Sequence, residues 1–401
     1  MHTEYISHNR LRGYIVAFLL AVMALFGILT PISGILLPQI IADYKISLST
    51  AGLLTISQNV GGILALVTGS LVADRIGKLR LILAGVAVQA VSLYCIRLSF
   101  SYFLLLILFF FIGICSNLLN MLICSYISEL YPDRKNLYVN LVSTFMSVGC
   151  FFGPIYVNIM AMHNTDWEQV FAYIGISNFI IIVLFLFSIL LPKHRPDGIQ
   201  TSTAAPGSPA GELLKVLRDR RMIVIAFISF FYMGHHATFI AWIPTYLSGN
   251  GAFGKGTINL LVSIFWICVA AGRIGYGFLS PRIKPYNYFF TSGLAGTAAI
   301  LAGMICNSTE VWILAFMMLG LVTGAVYPTV IALACDIHPQ NSGAASSIVC
   351  LAASAGGVVF GWLFGVIAQY LSYFSAAIST MVATLFLVAA LSCIRKMQGK
   401  S

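Results

Sequence analysis

From Ile337 to Ile394 the chain runs for 58 residues without an Asp, Glu, Lys or Arg. About 20 apolar residues in helical form cross the hydrocarbon of a bilayer. A neutral run of that length reads as two crossings, divided near Gln369–Ser372. Gly13–Ala42, Ile46–Ala73, Ser99–Ser128 and Met222–Gly254 are also free of charge. Apolar residues make up 59% of the 401 positions and charged ones 8%, with mean hydropathy +0.94. Such a chain folded in water would leave a large apolar surface. An ordinary cytosolic enzyme, a secreted disulfide scaffold and a disordered chain are excluded.

The runs lack the strict alternation of a β-barrel, so the expectation is an all-α membrane protein with twelve transmembrane helices. The spans fall near 14–38, 48–72, 79–98, 101–128, 136–162, 169–191, 221–248, 255–279, 286–306, 309–334, 341–369 and 372–394. An even number puts both termini on one side. Placing them in the cytoplasm leaves 18 Lys/Arg inside, three outside (Lys45, Arg97, Lys255) and one, Arg273, within a span. That asymmetry follows the positive-inside rule and accounts for the net charge of +10 without a nucleic-acid partner. The expected location is the cell inner (plasma) membrane, with membrane lipid as surroundings and a monomer as the unit. The opening MHTEYISHNRLRGY carries no small-residue cleavage site after a short apolar run, and no removed signal peptide is expected. The nine cysteines lie in apolar segments without a CxxC pair, and read as small hydrophobes rather than disulfides or metal ligands.

The one long polar stretch, Pro192–Arg220, is rich in Pro, Gly, Ser, Thr and Ala and reads as a linker. It divides the chain into an N-terminal six-helix bundle (1–191), a cytoplasmic linker (192–220) and a C-terminal six-helix bundle (221–401). The bundles carry a weak repeat at a constant offset of 207. Gly27 maps to Gly234, Arg75 to Arg282, Gly113 to Gly320, Glu129 to Asp336, Pro132 to Pro339 and Gly149 to Gly356. Parallel six-helix repeats are one of the transporter architectures, with the solute held near the midplane between halves.

After the second span comes Ser70-Leu71-Val72-Ala73-Asp74-Arg75-Ile76-Gly77-Lys78-Leu79-Arg80. A tight turn needs Gly77. Asp74 suits a helix N-terminus or an arginine, which would latch one state of a gate. The bland alternative is that the basic residues only fix topology. The stretch resembles the cytoplasmic loop signature of the major facilitator superfamily, G-x-x-x-D-R-x-G-R-R. Other segments are similar to the same superfamily: Glu129-Leu130-Tyr131-Pro132, Gly149-x-x-x-Gly153-Pro154, Trp242-Ile243-Pro244-Thr245-Tyr246-Leu247, Ala271-Gly272-Arg273 and Gly320-x-x-x-Gly324-Ala325-Val326-Tyr327-Pro328. Within it the chain looks most like fucose-permease-like sugar transporters, with His236 where their seventh span carries a Glu. The Trp-x-Pro-Thr-Tyr-Leu run also looks like organic-anion symporters. The resemblance implies gating roles for Asp74, Arg75, Gly77, Glu129 and Asp336.

The twelve acids lie in loops or at span ends, so the ionisable groups inside the membrane reduce to His235, His236 and Arg273. Such groups are costly and commonly functional. His235 and His236 fall near the midplane, about 100° apart around the helix, so at most one faces a cavity squarely. Arg273 either reaches the cytoplasmic interface or helix C-termini of the gate, or contacts an anion. Gln58, Asn59, Asn117, Asn120 and Trp266 are polar residues near midplane, with Tyr232 and Tyr327 somewhat cytoplasmic of it. Amides hold hydroxyl-rich ligands and aromatic rings stack on sugar faces; the same amides can equally bridge helices.

The expectation is a secondary transporter, not an enzyme, moving a small polar organic solute by alternating access. The solute is sugar-like or a small organic anion, with a coupling proton or other ion as possible partner. An efflux antiporter for drugs or hydrophobic metabolites is the alternative. No nucleotide-binding motif appears, and no cofactor is expected.

Overall fold

Among the described residues, the Pro and Gly that interrupt the apolar runs lie within helices or at their ends, and no strand forms. The computed structural model describes residues 2–98, 100–190, 216–249, 253–280, 282–338 and 341–379; residues 2–11, 70, 71, 74, 135–137, 188–190 and 342 are described by their backbone alone. Among the described residues the elements are α1 (His2–Tyr44), α2 (Leu48–Ile76), α3 (Lys78–Cys95), α4 (Tyr102–Leu130), α5 (Lys135–Met162) and α6 (Trp167–Leu190). They continue with α7 (Arg220–Gly249), α8 (Lys255–Leu279), α9 (Pro285–Cys306), α10 (Thr309–Thr323), α11 (Val326–Ile337) and α12 (Ser342–Tyr370). Eleven segments are long and apolar enough to cross a membrane, with α10 and α11 forming one of them over Thr309–Ile337. The chain is a multi-pass all-α membrane protein. Most of the linker, and the twelfth span beyond Ser379, lie outside the described residues.

Two expectations about boundaries change. α1 extends well past 14–38 at both ends, because hydropathy registers only the part of a helix that sits in hydrocarbon. The tenth span is broken into two helices at Gly324–Ala325 rather than running unbroken. Elsewhere the ends follow local chemistry. Ser101 and Ser308 accept hydrogen bonds from the amides of Phe103 and Val311, capping α4 and α10. Asn307, left-handed at φ 45°, stops α9.

The described contacts group the chain into two compact units: Met1–Thr30 with Gly61–Ala205, and Pro31–Val60 with Pro206–Ser401. The far half of α1 and the near half of α2 therefore belong with the second unit. In the first unit α3 packs on α4 and α6, around a core that includes Leu19, Ile82, Leu119, Ile123 and Ile127. Phe18 and Phe185 stack there at 4.2 Å. In the second unit α7 packs on α12, and α10 on α8 and α9.

Lipid is as apolar as these side chains, so close backbone approach, rather than water exclusion, joins the helices. A Cβ on Gly149 would lie 2.9 Å from the Cα of Gly27, where α5 crosses α1. In the second unit, a Cβ on Gly234 would lie 3.1 Å from the carbonyl oxygen of Gly356, where α7 crosses α12. These four glycines are two of the pairs related by the 207-residue offset. The repeat read in the sequence is thus realised as the same helix crossing in each unit.

Candidate functional site

The break in the tenth span lies at Gly324–Ala325, one turn before Pro328. Pro328 has no amide hydrogen, so it cannot donate to the carbonyl of Gly324 four residues earlier. A carbonyl left unpaired in a dry interior costs about 1–3 kcal/mol. The structure supplies a substitute from another helix: Nε of Arg273 on α8 donates to Gly324 O at 3.0 Å. Two further side chains attend the same joint. The Tyr232 hydroxyl on α7 donates to Thr323 O at 2.6 Å, and the Ala325 amide donates to the Tyr288 hydroxyl on α9 at 3.2 Å. The ladder then resumes, with Thr329 N donating to Ala325 O at 3.1 Å. Three neighbouring spans thus converge on one interrupted turn.

Arg273 reaches Gly324 because α8 and α10 nearly touch. A Cβ on Gly320 would lie 2.5 Å from Phe265 O and 2.7 Å from the Cβ of Cys268, and one on Gly324 would overlap Val269 O. Gly272, adjacent to Arg273, is equally close to the carbonyl of Leu321. Of the residues at the joint, sequence reasoning had named Arg273 and Tyr232. It missed Tyr288 and Thr323. The Gly324-to-Pro328 spacing signals the orphaned carbonyl, but nothing in the order of residues says which helix answers it.

One turn from Tyr232, His236 lies half-buried between rings. It stacks on Tyr232 with centroids 5.6 Å apart and leans on Phe265 of α8, also at 5.6 Å. Phe265, missed in the sequence, meets Trp266 edge-to-face at 5.4 Å. Trp266 is buried, and its indole N–H has no hydrogen-bond partner among the described residues. His235, next to His236, is buried at 6% exposure and is the more enclosed of the two imidazoles. Tyr327, on α11, donates its hydroxyl to Cys350 Sγ at 3.2 Å. Tyr232, His236, Phe265 and Trp266 therefore form a chain of ring contacts, buried except at His236, with one imidazole and one indole donor, beside the joint that Arg273 holds.

The amides divide between the units. In the second, Asn59 donates to Thr55 O at 2.8 Å and lies against α12, its Oδ1 3.1 Å from where Gly357 would carry a Cβ. Gln58 beside it is half-buried. Asn59 is one point on a seam along α2 and α12, where Gly361 faces Thr55, Gly52 faces Trp362, and Ser49 N donates to Gln369 Oε1 at 3.0 Å. In the first unit, Asn117 Nδ2 donates to Gly113 O at 3.4 Å and packs over Gly62; Asn120, one turn on, is half-buried.

A family model of the Major Facilitator Superfamily matches residues 14–254 and 250–398. The chain belongs to that superfamily. Among its relatives, the glucose/mannose transporter GlcP of Bacillus subtilis (strain 168) is 20% identical over 344 residues, 84% of each chain. Protein TsgA of Shigella boydii serotype 18 is 23% identical over 337 residues, 82% of this chain and 80% of the relative. The crystal structure of the nucleoside transporter NupG superposes with a TM-score of 0.78 at 14% identity, covering 96% of this chain and 99% of the other. At that identity the likeness is one of fold.

In this facilitator the loop after α2 turns as expected. Gly77 has φ +93°, a conformation that only glycine adopts readily. Arg75 is exposed, and the side chain of Asp74 lies outside the described residues. Glu129, at the end of α4, pairs with Lys78 at the start of α3, and Lys78 Nζ also donates to Ser125 Oγ at 2.7 Å. The repeat counterpart of Glu129, Asp336, is exposed in the last turn of α11. Two residues further, His338 Nε2 lies 3.1 Å from Asp219 Oδ2, and Asp219 also receives Arg221. The side-chain bond from Arg221 is the largest influence holding the Asp219 carboxyl below its ordinary range, with the approach of His338 adding to it.

Proposed function

We propose that this superfamily member is a secondary transporter for a hydroxyl-rich polar solute, sugar-like rather than anionic, working by alternating access between 1–191 and 221–401. The aromatic cluster carries the reading. The half-buried ring of His236, backed by Tyr232 and Phe265, suits the apolar face of a pyranose or ribose, while the Trp266 N–H and the His236 imidazole suit hydroxyls. Arg273 Nε is engaged by a backbone carbonyl, so at least one of the five guanidinium N–H groups serves the helix joint. GlcP and NupG, a glucose/mannose and a nucleoside transporter, agree with this reading in solute chemistry.

In this reading Gln58, Asn59, Asn117, Asn120, Tyr327 and His235 line or support the solute path. Asp74, Arg75, Gly77, Glu129 and Asp336 belong to the cytoplasmic gate. The protein works as a monomer in the inner membrane with both termini cytoplasmic, driven by a coupling proton or by the solute's own gradient. Counterflow of radiolabelled D-glucose, D-mannose, uridine and L-lactate into proteoliposomes tests it. Sugar or nucleoside counterflow that weakens about tenfold or more in Trp266→Phe is the expected result. Exchange of lactate alone overturns the reading.

A further inference from the structure

Gly324 and Arg273 present a specific exchange of partners. Within a continuous helix the amide at position 328 would donate to Gly324 O; Pro328 removes that donor, and Arg273 Nε occupies the acceptor at 3.0 Å. The glycine contacts of α8 with α10 bring the two within reach. Downstream of the joint, α11 carries Tyr327 and Asp336 and packs on α7 and α12. The angle at which α11 leaves α10 is therefore set by side chains from outside the span, where an ordinary helix would set it by its own ladder.

We propose that Arg273 is a positioning residue for transport and not a solute ligand: it stands in for the missing amide of Pro328 and holds the α10–α11 joint at its working angle. The inference rests on the transport activity of the superfamily and is independent of which solute is carried. It sets Arg273 apart from every role that requires its guanidinium to touch cargo.

A rescue separates the two roles. Pro328→Ala restores a backbone donor for Gly324 O, so it makes Arg273 dispensable if positioning is its task, and leaves the defect untouched if it binds solute. The measurements are D-glucose affinity by scintillation proximity, D-glucose counterflow rate, and hydrogen exchange of the amides between Val326 and Ala334 in purified protein. Arg273→Gln is expected to slow counterflow about tenfold, to keep affinity within about twofold, and to speed exchange in α11. The double variant Arg273→Gln, Pro328→Ala is expected to return rate and protection to within about twofold of Pro328→Ala alone.

A double variant as slow as Arg273→Gln, or loss of D-glucose binding on removing Arg273, overturns the proposal. If the native protein carries no D-glucose, hydrogen exchange alone decides the joint, and the solute reading is decided separately by counterflow of the other solutes. Protection lost in Arg273→Gln and regained in the double variant supports it; unchanged exchange overturns it. If Arg273→Gln does not accumulate in the membrane, accumulation becomes the readout. Restoration by Pro328→Ala supports the proposal, and its absence overturns it.

Discussion

Gly34 crosses Ala241 so closely that a Cβ on Gly34 would lie 3.0 Å from the Cα of Ala241 and 2.7 Å from the carbonyl oxygen of Ile240. The two positions are themselves 207 residues apart. At this crossing of α1 and α7 within the second unit, a residue meets its own counterpart in the repeat, as in a self-complementary dimer contact. Each helix has a proline placed to free a carbonyl there: Pro38 for Gly34, Pro244 for Ile240.

Gly34→Val therefore forces the two backbones apart. Overpacking of this kind costs about 1–3 kcal/mol, and the expected result is a lower unfolding temperature in detergent together with slowed solute exchange. Gly275→Ala is the control. Gly275 lies inside α8 with open space around it, and alanine there should leave stability equal or slightly raised.

Gly77→Ala should lower stability by about 1–2 kcal/mol through backbone strain alone. The positive φ permits Gly77 to end one helix and start the next: its amide donates to Ala73 O at 2.8 Å and its carbonyl accepts from Leu81 N at 3.0 Å. Gly77→Asn, a residue that tolerates positive φ better, should be the milder change by thermal unfolding.

The Asp219 cluster gives a pH dependence with a definite sign. The folded carboxyl titrates below its unfolded value of 3.8. Its contribution is thus complete above the unfolded value and is lost as pH falls through the folded one. Asp219→Asn should flatten the acid limb of the unfolding-temperature curve between about pH 5 and about pH 3. An acid limb as steep as that of the native protein would exclude this role for Asp219.

His236 offers the test of energy coupling. Proton-driven transport needs a group that changes charge within the membrane, and the spans hold no carboxylate near their centres. His236→Gln should abolish accumulation of D-glucose driven by a pH gradient while counterflow persists. Intact accumulation in the double variant His235→Gln, His236→Gln would leave the protein a coupling route other than histidine.

The fold was legible because its two strongest signals are one-dimensional. Charge-free runs mark the hydrocarbon, and glycines at a fixed offset mark the repeat, so the sequence alone matches Gly27 to Gly234 and Gly149 to Gly356; that Gly27 meets Gly149 and Gly234 meets Gly356 appears only in the fold. The site was legible only in its residue types. That Trp266 and His236 are expected near midplane, and Tyr232 somewhat cytoplasmic of it, follows from counting along a span. That Phe265 joins them, or that Tyr288 on α9 reaches the Ala325 amide, depends on the rotation of each helix about its axis. In lipid an apolar face buried against a neighbour and one turned to acyl chains have the same composition, so periodicity carries little of that information. The break at Gly324 was hidden for a related reason: a proline is visible in sequence, but the group that relieves it is not.

The matching glycine crossings also make each half of this molecule an internal control for the other. Gly27 with Gly149, and Gly234 with Gly356, make one kind of contact twice, under separate side-chain environments within a single chain. Where both positions are glycine, backbone approach leaves no room for a side chain in either half. Where they differ, as at Gly34 and Ala241 or at Glu129 and Asp336, the same place in the repeat accommodates two different side chains. A mutational scan of one half can accordingly be read as a forecast for the other, and the positions at which the forecast fails are those where the halves have taken on unequal duties.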